Sequence, residues 1–252
     1  MRETFRMWRY TQMVVLTAVT AAVYAALLIP FKGFQIIPGL SEVRPAAVVP
    51  VLFGWLFGPA GAWGAALGNL IGDFFGTLGI GSLFGIIGNF CLAMTAYKVF
   101  DALYRPKSEG GSSSVSPVLA CAVSSLVASA SCALVIGWGI DLLRLMPFGA
   151  LGGVIFINNS VFAVLVAPFL YVLLQRRVAR LGLNWRDLMP EENRSRRPAV
   201  GAGAVLLFIG SLGGLALGLT LHWSGISEAG SPLVALGLLP FIVLIFIGYL
   251  LA

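Results

Sequence analysis

Hydrophobic residues run along this chain in long continuous blocks and do not alternate with polar ones. The blocks lie near Met13–Pro30, Pro45–Phe57, Ala62–Leu78, Leu83–Leu103, Val115–Gly139, Phe148–Leu174, Val200–Leu221 and Pro232–Leu251. A bilayer-spanning helix needs about 20 apolar residues. A barrel strand needs only about 10 residues with period-two alternation, which is not the pattern here. The blocks therefore predict roughly eight membrane helices, the second of them short enough to be tilted, broken or re-entrant. Composition agrees. Of 252 residues, 59% are hydrophobic and 10% charged, against roughly 45–50% and about 25% in a soluble domain. Mean hydropathy is +0.95. The fold class is an all-α integral membrane protein. The opening MRETFRMWRY leads straight into apolar sequence, but no small-residue cleavage site and soluble body follow, so the first helix is retained.

Charge changes the picture only by orienting it. With the N-terminus inside and eight helices threaded, thirteen of the sixteen basic residues fall on the inner side; Lys32, Arg44 and Arg144 remain outside. The formal charge of +6 thus follows from the positive-inside bias. It calls for no nucleic-acid partner, and both termini are expected in the cytoplasm. Two linkers divide the chain. Lys107–Pro117 (KSEGGSSSVSP) is Gly/Ser-rich and flexible in composition. In the second, Gln175–Pro198, Val178, Leu181, Trp185 and Leu188 recur at helical spacing among arginines, as in a helix lying in the inner interface. The expected organisation is a six-helix core over 1–175, a basic interfacial linker over 176–198 and an appended two-helix hairpin over 199–252.

The informative residues are polar ones inside these blocks. A buried acid costs about 2.5–3.5 kcal/mol at mid-helix on insertion scales, so it usually faces a cavity or a partner. Asp73 is the acid placed well inside a span, four residues after Asn69. Asn89 in the fourth block and Asn158 and Asn159 in the sixth fall at similar depth, roughly 9–16 Å below the outer surface at about 1.5 Å per residue. Above them runs GFQIIPGLSEVRPA, with Glu42 and Arg44 flanking the second block. This loop is expected to cover an outward-facing pocket, apolar with a few placed polar groups, and Phe74, Phe75 and Phe84 stand near enough in sequence to supply aromatic wall. The simpler reading makes the asparagines interhelical glue worth about 0.6 kcal/mol each, and Glu42–Arg44 a surface pair worth little. Gly64, Gly68, Gly72 and Gly76, four apart, read as a close-packing helix face, and Ala18-Ala22-Ala26 beside Thr17-Ala21-Ala25 as two small-residue stripes on the first helix.

Helix one with its alanine ladder, the loop ending in SEVRPA (Ser41–Ala46), the hairpin VPVLFGWLFGPAGAWGAALGNLIGDFFG (Val49–Gly76) and GSLFGIIGNF (Gly81–Phe90) together resemble the substrate-binding, or S, components of energy-coupling factor (ECF) vitamin transporters. The SEVRP-to-GNLIGD region is closest to their queuosine-precursor branch. The likeness covers about residues 10–175. It implies a six-helix, substrate-binding bundle in a prokaryotic cell membrane that takes a vitamin-like or nucleobase-like molecule from outside. It also implies partners: a membrane coupling subunit driven by two ATPase subunits. Carried onto this chain, Ala18, Ala22 and Ala26 would be the docking face. Asp73, Asn69, Asn89, Asn158, Asn159, Glu42 and Arg44 would be substrate-binding candidates. The hairpin over 199–252 departs from the family's six helices.

Two other classes compete. A stand-alone secondary transporter would use Asp73 as its proton carrier, but such folds tend to show internal repeats, and none is evident. An intramembrane enzyme fares worse. Glu191–Arg196 fits EExxxR, yet lies in a polar linker with no FxxxH or HxxxN companion. HExxH, GxSxG and a P-loop are absent. No catalytic residue, cofactor or metal site is expected. Cys91, Cys121 and Cys132 read as packing residues, His222 as interfacial, and the N-x-[ST] matches at Asn158 and Asn193 as chance.

Overall fold

The computed structural model describes residues 1–38, 40–104, 115–190, 192, 197–226 and 228–252. The Lys107–Pro117 linker lies mostly outside these, as do Glu191 and Asn193–Arg196 of the second linker. After a short amphipathic turn, α1 (Arg2–Arg6), come α2 (Thr11–Leu28), α3 (Val48–Phe57), α4 (Pro59–Asp73), α5 (Ser82–Leu103), α6 (Pro117–Leu142) and α7 (Phe148–Leu165). Next are α8 (Ala167–Arg180), α9 (Trp185–Leu188), α10 (Arg197–Phe208), α11 (Gly214–Trp223) and α12 (Pro232–Leu251). Six of the described helical segments are long and apolar enough to cross a membrane, and Pro45–Phe57 is a shorter apolar one.

Of the eight expected membrane helices, six reach spanning length, the second is the short one expected and the third, at 15 residues, falls short too; the blocks also show three local differences. The third ends at Asp73 instead of Leu78, because a turn with Gly76 at φ 152° leaves the helical path. Asp73 is therefore at a helix end, not several residues inside a span. It also shares burial with Asp141, which is 1% exposed at the end of α6. The sixth block splits at Val166, ahead of Pro168, since proline lacks the donor and clashes with the preceding turn. The seventh contains a π-helical segment, Ile209–Gly213, between α10 and α11. The basic linker is likewise not one interfacial helix. Gly182 at φ 63° ends the run, Leu181 points outward, and Trp185 is buried against Gly58 and Tyr97. Arg186 closes an ion pair with Asp101.

Small residues bring α2 and α4 together. A Cβ on Gly64 would lie 2.3 Å from Thr20 Cβ, and one on Gly68 2.8 Å from the Ala21 carbonyl. The stripe Thr17-Ala21-Ala25 faces this contact and is buried; Ala18, Ala22 and Ala26, one residue round the helix, are exposed. Gly58, at φ 54°, lets α3 turn straight into α4.

The last helices pack directly on the core. Tyr249 of α12 places its hydroxyl 2.6 Å from Thr95 Oγ1 of α5 and 3.3 Å from Ser131 Oγ of α6. His222 sits over Gly149, and Phe148 over Gly218. At the far end, Asp141 accepts from the Gly230 amide at 3.1 Å.

Candidate functional site

Opposite the arginine-rich end, the chain leaving α2 forms a two-stranded hairpin, β1 (Gln35–Ile37) with β2 (Ser41–Glu42), paired antiparallel. It covers a cavity of about 340 Å³ whose lining includes Ser41, Arg44, Asn69, Asp73, Gly85 and Ile140. The walls come from the end of α4, the 76–81 turn, the start of α5 and the apolar faces of α6 and α7.

A connected set of charges and amides stands at one side. Asp73, 5% exposed, receives Lys32 Nζ at 2.9 Å and the Thr77 hydroxyl at 2.9 Å on Oδ1. Its Oδ2 accepts from Asn69 Nδ2 at 3.1 Å, i to i+4 along α4. Lys32 also donates to Thr77 Oγ1 at 2.6 Å and lies 3.4 Å from Glu42 Oε1. Arg44 Nε reaches the same Glu42 oxygen at 2.9 Å. Two anions thus balance two cations. Burial by itself would raise the Glu42 carboxyl, but the nearby Arg44 and Lys32 charges outweigh it and hold Glu42 below the usual carboxylate range. Arg44 is pushed the other way: burial opposes its charge, and Glu42 more than restores it.

Not every acceptor is used. Asn69 Oδ1 and Glu42 Oε2 have no hydrogen-bond partner among the described residues. Asn69 is held open to the cavity by Gly85, where a Cβ would come within 2.9 Å of its Nδ2. A buried acceptor without a partner costs about 1–3 kcal/mol, so this edge is suited to a guest that brings N–H donors.

The sequence-derived candidates separate on the structure. Asn69, Asp73 and Arg44 line the cavity. Glu42 lies behind them, bound to Lys32 and Arg44. Asn158 pins the loop: it donates to the Glu42 carbonyl at 2.6 Å and accepts from the Arg44 amide at 3.1 Å. Asn89 is one turn deeper, accepting from Tyr24 at 2.7 Å and donating to the Gly85 carbonyl at 2.8 Å; this joins α5 to α2. Asn159 is fully buried with no nitrogen or oxygen partner among the described residues, facing the Cys132 thiol. Phe74 and Phe75 are 64% and 59% exposed and supply no wall, while Phe84 packs over Gly139. The sequence reading missed Lys32 and Thr77. Thr77 follows Asp73 at helical spacing, a signal that was available; Lys32 stands 41 positions away and gave none.

A family model described as QueT transporter matches residues 14–176, well over half of the 252 and all of the region around the cavity. The chain belongs to the QueT transporter family. This is an S-component family of ECF-type systems related to queuosine-precursor uptake. A QueT-family chain with six membrane-length helices is a multi-pass membrane transporter component and not an enzyme. As an S component it functions with a substrate and a membrane coupling partner. The family match ends within α8, so α9 to α12 lie beyond it. No curated protein and no solved structure matches the chain.

Proposed function

We propose that this chain is the substrate-binding subunit of an ATP-driven ECF-type importer, and that its substrate is a small nucleobase-like molecule of the queuosine-precursor kind, captured from outside. The observation that carries the reading is the roofed cavity of about 340 Å³, near the lower end of the 300–1,000 Å³ common for small-molecule sites. Its volume suits a compact heterocycle. Asn69 and Asp73 present acceptors to the ligand's N–H groups, Arg44 lines the cavity on the same side, and Glu42 and Asn158 hold the loop in place. Asn89 and Asn159 support the wall from beneath. The positive-inside bias supports cytoplasmic termini and an outward-facing cavity in a prokaryotic cell membrane. The core, linker and hairpin keep the boundaries 1–175, 176–198 and 199–252, with the hairpin as a brace behind α5 to α7.

The test is mass spectrometry of the small molecule released on denaturing the detergent-purified protein. One stoichiometric queuosine-precursor-like base is the expected result. A chemically unrelated stoichiometric ligand overturns the substrate, and an empty protein that also fails to bind such a base overturns the reading.

The exposed Ala18-Ala22-Ala26 stripe is the docking face for the coupling subunit, itself driven by two ATPases. It is smooth because its side chains are single methyl groups, and free because the neighbouring stripe is already used against α4. Ala22→Trp is expected to abolish co-purification with the coupling module while leaving base binding within about twofold. Loss of both would mean misfolding, and retention of both would remove this face from the docking surface.

A further inference from the structure

Lys32 has no role in the reading above, yet like Asp73 it is engaged by three side chains beside the cavity. It is 5% exposed, and its ammonium reaches Asp73, Thr77 and Glu42 at 2.9, 2.6 and 3.4 Å. Those are the three donors a lysine has. The four charges Lys32, Arg44, Glu42 and Asp73 cancel, so a cationic guest added to the intact cluster would enter as an uncompensated buried charge, which is strongly unfavourable. One cation exchanged for another is not. Of the two resident cations, Lys32 suits exchange. It stands in the turn between α2 and the β1–β2 hairpin, against the cavity-lining Asp73 and Thr77, on a flexible stem with a strongly hydrated head. Arg44 is fixed at its backbone, where its amide donates to Asn158, and its guanidinium engages Glu42 rather than Asp73.

We propose that Lys32 is a resident stand-in for the cation of the ligand: a guest carrying a protonated amine takes the Asp73 carboxylate by displacing the Lys32 ammonium toward outer water. Thr77, donor to the same Asp73 oxygen, steadies the carboxylate through the exchange. Charge balance then makes the site selective. A protonated amine is accepted because Lys32 can leave. A second anion is opposed by Glu42 and Asp73. A neutral guest leaves Lys32 in place and forgoes the stronger of the Asp73 contacts. This inference rests on the substrate reading only for the base used in the second measurement below.

The first measurement needs no substrate. Lys32→Ala in the full-length, detergent-purified chain opens a space beside Asp73, and n-propylammonium is the probe. Millimolar n-propylammonium is expected to recover at least half of the melting temperature lost by Lys32→Ala, with no effect on wild type, on Lys32→Ala/Asp73→Asn, or when n-propanol replaces it. Absence of rescue overturns the exchange. The second uses Lys32→Met, which keeps the volume of the stem. An amine-bearing queuosine-precursor base is expected to bind it at least fivefold more tightly than wild type, because no resident cation need be expelled. Weakening comparable to Asp73→Asn overturns the proposal and makes Lys32 a ligand contact or a structural strut. If wild type binds no such base while n-propylammonium still rescues, the substrate reading fails and the exchangeable cation site stands.

Discussion

Asp73→Asn is expected to lose at least tenfold in affinity for a queuosine-precursor base and to melt below wild type, though by less than Asp73→Ala. Asp73→Ala should lose both binding and stability. The asparagine keeps an oxygen for Lys32 and Thr77 and preserves the volume, but removes the negative charge from the cavity edge. A charge-assisted hydrogen bond contributes about 1.5–3 kcal/mol, and tenfold in affinity is about 1.4 kcal/mol. Alanine does more harm. Truncating one member of a buried ion pair usually costs about 3–5 kcal/mol. Lys32 retains Glu42 at 3.4 Å, so the loss should fall toward the lower part of that range. Isothermal titration with the base and thermal unfolding in detergent separate the two effects. Unchanged binding by Asp73→Asn would move the site away from this carboxylate.

Gly64→Ala should be among the more damaging single methyls added to the chain, lowering stability by about 2–3 kcal/mol. In the bilayer, helices associate through close packing, without a hydrophobic difference between protein and lipid. The added Cβ would sit 2.3 Å from Thr20 Cβ and 2.8 Å from the Thr17 carbonyl. The carbonyl belongs to the helix backbone of α2 and cannot swing aside, so α2 itself must move. That shift would carry Lys32, four residues beyond the end of α2, away from Asp73. Gly201→Ala in α10 is the control, since nothing lies within 4 Å of its Cβ position. Equal melting of the two variants would mean that α2 and α4 do not meet face to face.

Much of this was legible along the chain. A run of twenty apolar residues declares a span through its own composition, whereas the break ahead of Pro168, inside the sixth block, came from the structure. The glycine stripe of α4 and the paired small stripes of α2 also carried their meaning, because a helix face is set by spacing. What spacing leaves open is which face meets which neighbour. Thr17-Ala21-Ala25 and Ala18-Ala22-Ala26 are equivalent on paper. Only the seat of Gly64 and Gly68 decides that the first is buried and the second free.

The candidate site divides in the same way. Asp73 and Asn69 were legible because an acid and an amide one turn apart on an apolar helix need a reason, and α4 sets their relation locally. Asn158, Asn89 and Asn159 were legible as polar groups in apolar blocks, but their separate duties as loop pin, helix tie and buried amide were not. Those depend on contacts between segments; Asn158 bonds a loop more than a hundred positions earlier. The same limit hid Lys32, which by sequence was an ordinary outer-loop base.

The sequence by itself determined the membrane class, the spans, the orientation expected from its arginines and the family, because hydropathy, charge and motif are properties of short stretches. The tertiary structure alone decided that Lys32 and Asp73 share a buried charge, that Glu42 and Arg44 close the set, and that the last hairpin is bolted to the core through Tyr249. Such pairings depend on distances of a few ångströms between groups far apart in the chain, and only packed helices set those distances.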